Sequence, residues 1–420
     1  MKRILLITYD YLSFRTPRSI RWKSITEYWG KSGAIIDVIC SPSCGTPPPT
    51  VPDGIRIFPA GGGVVTAMKA GLGTRISGPA FHASLLKTSL KRIHDVTWKK
   101  LYWPDYACLW LPSAIAKARA LLRRHSYDHL ISVSLPFTGH LAGLGVKKTS
   151  PRMNWLVDIG DPFCFMDTTP VNNHFLYRRL NYRAERAVLR SANAITVTTH
   201  PTLARYLALF PELTGRMHVI PPLALPVGPS PEPSFFPKDG NIRLVYAGTL
   251  YRNIRNPDTL LSIFTKLSRL PGGGRLELHF FGSLHDSQKL FQPYADIIGS
   301  SVHLHGLTDR ETTIAAMQSA DILVNIGNTT TYQLPSKLVE YVSVSKPIIN
   351  IAPGEQDSSI AFLKTHPATF NVLAGDHEPD IARLMRFIQT PPAIDRNRLE
   401  IFMREYSLDQ VADAYDKLLS

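Results

Sequence analysis

Cysteine is scarce: Cys40, Cys44, Cys108 and Cys164 are the four thiols in 420 residues. That number cannot build a disulfide framework in a chain this long, and a reducing cytosol is the expected compartment. Cys40 and Cys44 are close, but no second pair completes a metal site. Long apolar runs are missing too. After Met-Lys-Arg only Ile4–Ile7 precede Thr-Tyr-Asp, too short for a signal-peptide core and suited to a first strand. The weakly polar run 129–146 holds two His, a Pro and several Ser, Thr and Gly, so it does not read as a membrane span. Any membrane association is therefore expected to be peripheral. No G-x-G-x-x-G follows the first strand, which argues against dinucleotide oxidoreductases. Acidic residues are short in one half only. Residues 1–230 carry 29 Lys and Arg against 12 Asp and Glu, a net of +17, and residues 231–420 carry 18 against 21, a net of −3.

Hydrophobic residues are 44% and charged residues 19%, an ordinary globular composition. The length exceeds a single core and predicts two domains. The basic half predicts an anionic partner: nucleic acid, an anionic membrane surface or a diphosphate-bearing acceptor. From Phe81 to Arg124 basic and aromatic residues interleave, among them Lys87, Lys91, Trp98, Lys99, Lys100, Trp103 and Trp110. Such a stretch suits an interface with anionic lipid; the alternative is a helix packed on the sheet with a solvated basic face. Stacking on single-stranded nucleic acid is a third option, but no RNA-binding signature accompanies it.

Residues 3–8, a helix carrying Arg18, Trp22 and Ile25, and Ile35–Ile39 form a β-α-β unit. Arg15 and Arg18 at its loop are read as anion contacts or as solvated helix-start residues. Residues 42–80, rich in Pro and Gly, read as irregular. Asp128–Ser134 is a strand, followed by a helix with His140 in its first turn. The strand from Trp155 ends near Asp158 and Asp161, which places two carboxylates at its carboxyl end, where parallel sheets carry reactive groups. Asp161 can accept a proton from a hydroxyl, or merely start a turn before Pro162. Residues 183–192 read as helix, 194–199 as strand and 217–222 as the last strand of this half. Pro221–Lys238 holds seven Pro and marks a linker. The second half restarts with Ile242–Ala247, then Gly248 and a loop with Arg252 and Arg255 before a helix from about Pro257, an arrangement that admits phosphate. His303 and His305 share a strand face but lack a third ligand, so no metal is expected. A single amphipathic helix over about 394–419 closes the chain.

The stretch from Gln333 to Pro347, QLPSKLVEYVSVSKP, organises the whole. It lies between two apolar runs, 321–326 and 347–351, so the order is strand, loop, helix, strand. Pro335 opens the helix. The N–H groups of Ser336 and Lys337 and the Lys337 ammonium suit an anion, and Glu340 one turn on suits sugar or ribose hydroxyls. An ordinary helix with a surface Lys and Glu is the competing reading.

This stretch resembles the donor site of glycosyltransferase family 4, in the branch with P-S-K-x-x-E-Y followed by Lys-Pro. The resemblance implies an α/β GT-B fold, two Rossmann-like domains facing each other across a cleft. It implies that Ser336 and Lys337 hold the donor diphosphate and Glu340 the ribose. Gly248-Thr-Leu-Tyr-Arg resembles the family's Gly–Arg loop, so Arg252, ahead of Arg255, joins Lys337 on the diphosphate. Gly306–Glu311 resembles the turn that meets the base. Asp158-Ile-Gly-Asp161-Pro resembles D-x-R-D-P, with Gly160 in place of Arg, and His140 is matched to a His that meets the donor sugar. The earlier of two glutamates common in the family is Tyr332 here. Implied domains are 1–225, a linker 226–238, 239–395, and a tail 396–420 returning to the first domain. The implied activity is hexosyl or N-acetylhexosaminyl transfer from a nucleotide-sugar to a saccharide or lipid-linked hydroxyl, in surface polysaccharide or glycolipid assembly. No metal or other cofactor and no nucleic acid is expected. A cytoplasmic location follows from the cysteine usage, and the basic first half leaves open a peripheral place on the inner face of the cell membrane. A non-catalytic sugar-nucleotide-binding protein and a GT-B epimerase are the alternatives.

Overall fold

In the central strands, short runs rich in Ile, Val and Leu are buried on both faces, which is why they read as continuous apolar segments rather than alternating ones. The computed structural model describes residues 2–12, 16–42, 51–61, 101–166, 168–228, 234–374 and 380–420. The chain divides into two units, Met1–Ile220 with Val411–Ser420, and Pro221–Gln410.

In the first unit the elements are β1 (Arg3–Ile7), α1 (Pro17–Lys31), β2 (Ile35–Cys40), β3 (Ile55–Pro59), α2 (Leu111–Leu122), β4 (His129–Val133), α3 (Thr138–Thr149), β5 (Asn154–Asp158), α4 (His174–Ser191), β6 (Ala194–Val197), α5 (His200–Leu209) and β7 (Met217–Val219). The seven strands run β3-β2-β1-β4-β5-β6-β7, all pairs parallel. Strand β3 corrects the reading of 42–80 as irregular throughout. It is an edge strand in Pro- and Gly-rich surroundings, held by register with β2 (Ile36↔Ile55 to Cys40↔Pro59), and that pairing is invisible locally.

In the second unit β8 (Ile242–Ala247), α6 (Asp258–Ser268), β9 (Leu276–Phe281), β10 (Val302–Gly306), α7 (Arg310–Ser319), β11 (Ile322–Ile326), α8 (Ser336–Val344), β12 (Ile348–Ala352), α9 (Ser358–Leu363), β13 (Thr369–Leu373), α10 (Ile381–Gln389) and α11 (Arg396–Arg404) follow in order. Six parallel strands run β10-β9-β8-β11-β12-β13. An amide ladder fixes register inside the sheet. Asn325 Nδ2 donates to Asn350 Oδ1 at 2.7 Å, and Asn350 Nδ2 to Asn371 Oδ1 at 2.8 Å. The polar interruption of an apolar run thus satisfies itself across strands.

Two boundaries differ from expectation. The Pro-rich stretch read as linker contributes Ala224 and Phe236 to the core of the second unit, and Arg243 Nη1 bonds the Pro237 carbonyl at 2.8 Å. Extended packing of this kind has no periodicity to read. The closing helix is two helices, α11 and α12 (Leu408–Leu418). They separate where the Tyr406 ring is buried and the Ser407 hydroxyl bonds Asp409. Residues 411–420 belong to the first unit. Among the described residues no helix is long and apolar enough to cross a membrane.

Candidate functional site

In each sheet the strand order reverses beside the first strand of the unit, and ligands of open α/β sheets bind beyond the carboxyl ends at such a point. In the second unit that point lies between β8 and β11. Gly248 follows one strand and Gly327 the other. Beside Gly248, at the end of the neighbouring β9, the backbone leaves no room for a side chain. A Cβ on Gly282, whose φ is +131°, would fall 2.1 Å from the Gly248 carbonyl oxygen, so only glycine fits.

The two loops beyond these strands are stitched together. Arg255 Nε donates to Asn328 Oδ1 at 2.7 Å, Thr329 N to the Ile254 carbonyl at 3.0 Å and Thr329 Oγ1 to the Asn253 carbonyl at 2.9 Å. Asn328 Nδ2 and Ser358 Oγ both donate to the Gln333 carbonyl, at 3.0 and 2.8 Å, which fixes the approach to α8. Pro335 is the N-cap of that helix and offers no side-chain cap, so the opening N–H groups of a nine-residue helix point outward beside Ser336. Apolar Leu338, Val339 and Val342 anchor the inner face. Tyr341 pins α8 to the end of β8: its hydroxyl accepts from Ala247 N at 2.6 Å and lies 3.2 Å from the Ala247 carbonyl.

The predicted residues sort themselves within this frame. Lys337 Nζ lies 2.6 Å from Glu340 Oε2, one turn away, and Arg310 Nε is 3.9 Å from Glu340 Oε1. Ser336 is exposed at the first helical position. Arg255 is half-buried and held by Asn328, whereas Arg252 is exposed and attached through its backbone N–H to Asp286 at 2.9 Å. Burial pushes the neighbouring Tyr246 phenol up to about 12 against the pull of Arg255. Of the two arginines, Arg255 is the one held by a side-chain bond beside the switch point, and Arg252 is the exposed one. Tyr332 is buried, with 6% of its surface exposed. Sequence reading passed over Asp357, which caps α9 through Ser359 N at 2.8 Å and lies against Gly327.

In the first unit Asp158 is a buried junction. Its oxygens accept from Arg18 Nη1 at 2.8 Å, Trp22 Nε1 at 2.7 Å, Thr196 Oγ1 at 2.8 Å and Tyr415 OH at 2.7 Å. Burial opposes ionisation, but Arg18 and Arg21 with the Trp22 and Tyr415 bonds outweigh it and hold the carboxyl below its usual value. Four donors leave it no lone pair for a substrate. Arg18 is accordingly tied to Asp158 and to the Ile159 carbonyl, at 2.9 Å, rather than left in solvent; Arg15 lies outside the described residues. The charge missing at Gly160 is present in space, because a Cβ there would sit 2.8 Å from Arg18 Nε. Asp161, half-buried, feels the same guanidinium. His140 is 2% exposed, its Nδ1 2.8 Å from Ser132 Oγ. Its Nε2 is buried with no partner among the described residues, and burial lowers its pKa to about 3. A neutral imidazole below the surface supports the strand end and is not at the surface to meet a sugar. Asp105, of the Trp-Pro-Asp segment, anchors the start of α3 by accepting from Thr138 N and Oγ1 at 2.9 and 2.6 Å.

The described basic surface differs from the one named above, since Lys87, Lys91, Trp98, Lys99 and Lys100 lie outside the described residues. It is the outer face of α4. Arg178, Arg179, Arg183, Arg186 and Arg190 line a groove of about 930 Å³ with Arg205. Phe175 is 97% exposed at the start of the helix, beside exposed Leu176 and Leu180. Glu212 pairs with Arg186 at 2.8 Å.

No family model matches the chain, and no curated protein matches it. Solved structures do. Anabaena HepE in complex with UDP and glucose superposes at a TM-score of 0.61 with 12% identity, over 100% of this chain and 99% of that one. The lipopolysaccharide outer core galactosyltransferase WaaB gives 0.58 with 13% identity over 99% of each chain. A UDP-forming α,α-trehalose-phosphate synthase from Burkholderia vietnamiensis gives 0.64 with 12% identity, over 100% and 99%. The fold is GT-B, an α/β architecture of two Rossmann-like units.

Proposed function

We propose that this protein is a glycosyltransferase that moves a hexosyl or N-acetylhexosaminyl group from a nucleotide-sugar donor to an acceptor hydroxyl. The observation that carries the reading is the switch point of the second unit, where the glycine turns after β8 and β11, the Asn328-held Arg255 and the uncapped start of α8 with Ser336 and Lys337 lie on hydrogen-bonded neighbouring loops. Its neighbours in fold include HepE in complex with UDP-glucose. A diphosphate at this point meets helix N–H groups and two or three cations. Those cations stabilise the charge that grows on the leaving diphosphate, the part a metal ion plays elsewhere. Glu340, released from Lys337 by the phosphate, accepts from the ribose hydroxyls. Asp161 is the reactive carboxylate at the first unit's strand end, with Asp158 and His140 positioning that strand end from below. The buried Tyr332 at the family's usual Glu position favours one other reading, a non-catalytic sugar-nucleotide-binding protein. A thermal-shift screen with UDP, GDP, ADP, CDP and dTDP tests the site. One nucleotide at roughly a hundred times its dissociation constant stabilises by about 2.7 kcal/mol. No shift with any of them defeats both readings. Nucleotide release from a sugar-nucleotide in the presence of acceptor then separates transferase from binder.

The acceptor in this reading is anionic or membrane-held, as in surface-polysaccharide or glycolipid assembly. Exposed Phe175, Leu176 and Leu180 beside five arginines make α4 a face for an anionic bilayer. Each basic residue near such a surface contributes about 1 kcal/mol. Replacing Arg179, Arg183 and Phe175 together is expected to lower partitioning onto anionic vesicles by about a hundredfold in a sedimentation assay. Undiminished partitioning places the contact elsewhere.

A further inference from the structure

Strand β10 lies at the edge of the second sheet, and its polar face carries His303 and His305. Sequence alone offered them no third ligand. The register supplies two. His303 pairs with His279 on β9, and Glu277 lies two residues earlier on the same face of that strand. One donor atom each from Glu277, His279 and His303 falls within 4.8 Å of the others. For tetrahedral zinc with bonds of 2.0–2.2 Å, ligand atoms stand about 3.4 Å apart, so small side-chain rotations close the set.

The surroundings of each donor fit that use. His279 is 5% exposed, and its Nε2 lies 3.3 Å from Glu277 Oε2, which is long for a hydrogen bond and close to the separation of two ligands on one ion. His279 Nδ1 is 3.0 Å from His305 Nε2. If His279 donates there, its Nε2 lone pair faces the carboxylate, an arrangement that a cation between them stabilises. Metal-bound histidines commonly donate their other ring nitrogen in this way. The Glu277 carboxylate is held by Asn241 Nδ2 at 2.8 Å on Oε1, which leaves Oε2 to His279 and to Arg243 Nε at 3.0 Å. Arg243 shares its charge between Glu277, through Nε, and Asp239, through Nη2 at 2.6 Å. His303 Nε2 is buried with no partner among the described residues. The His303 ring stacks on His279 at 4.7 Å. An orphaned buried nitrogen beside a histidine and a carboxylate is a vacancy in hydrogen bonding that a metal bond fills.

We propose that Glu277, His279 and His303 bind a divalent transition metal, zinc by the N- and O-donor set, with His305 as the outer partner of His279. Glu277 and His303 lie near the starts of β9 and β10 and His279 at mid-strand, whereas the candidate donor site lies beyond the carboxyl ends of β8 and β11. The ion therefore acts on structure. It clips the edge strand to its neighbour and so fixes the Gly306–Asp309 turn that β10 leads into. The proposal stands whether or not the protein transfers sugars.

The test uses the full chain stripped of metal and titrated with Zn²⁺ and Co²⁺. One equivalent is expected to bind, with a saturable rise in melting temperature and the intense visible bands of tetrahedral Co²⁺. His305→Ala is expected to weaken binding by about 10–100-fold. His303→Gln and Glu277→Gln are expected to lose the equivalent, and each metal-free variant is compared with metal-free wild type by circular dichroism. Replacing the exposed His285 leaves binding unchanged. The Co²⁺ spectrum of the wild type reads the ligand set without any variant. Absent binding, a weak octahedral Co²⁺ spectrum, or wild-type uptake by a folded His303→Gln overturns the proposal.

Discussion

Lys337→Ala is expected to lower kcat/KM for sugar transfer by about 10²–10³-fold, the effect of removing one charge-stabilising group from a preorganised site, and to abolish the nucleotide-induced thermal shift. Its own melting temperature should hardly move. The Lys337–Glu340 pair spans one turn at 2.6 Å with both side chains a quarter to a third exposed, and such pairs contribute at most about 1 kcal/mol. A core mutation would instead lower stability and activity together. Glu340→Ala sharpens the contrast. It frees Lys337 for phosphate while removing the ribose contact, so diphosphate binding should survive better than nucleoside selectivity. If Lys337→Ala keeps the full shift with the nucleotide that wild type binds, the start of α8 is not where the diphosphate lies.

The start of α8 was readable because its signals are local. Pro335, the Ser336–Lys337 pair and an apolar spacing of three and four residues sit within about two helical turns, and the flanking strands are continuous apolar runs. The same locality failed where structure depends on partners far along the chain. Arg18 looks like a solvated helix start until Asp158, 140 residues on, meets it. The 3₁₀ and loop segment around Asp105 reads as an aromatic-basic surface, yet its carboxylate is wholly buried beneath α3. Strand β3 exists through pairing with β2, and the His279–His303 neighbourhood through the β9–β10 register. Parallel registers follow crossovers of many residues, so nothing in either strand announces its partner.

Asp158→Asn is expected to destabilise the protein by about 3 kcal/mol, the low end of the cost of breaking a buried ion pair, because the Arg18 guanidinium left without its counter-charge is only partly buried. The geometry explains why an isosteric change is so costly. Each carboxylate oxygen receives two donors, Arg18 and Trp22 on one and Thr196 and Tyr415 on the other. An amide must turn its NH₂ toward one of these pairs, so two buried donors face a third, and Arg18 keeps its charge. Arg18→Met added to Asp158→Asn should recover part of the loss, a non-additivity that marks the two as one unit. The pH dependence provides a second reading. The folded pKa of Asp158 lies below its ordinary value of 3.8. Its contribution is therefore fully present above that value and is lost as pH falls through the folded pKa, because the unfolded chain then binds the proton more readily. Acid melts of wild type should steepen below about pH 4 and those of Asp158→Asn should not show this component. The same variant separates positioning from chemistry. Should it fold with wild-type stability and lose only catalysis, the Asp158 carboxylate works on substrate; should it lose stability with activity falling in proportion to the unfolded fraction, its work is to hold β5, α1, β6 and α12 together and to set the strand end from which Asp161 projects.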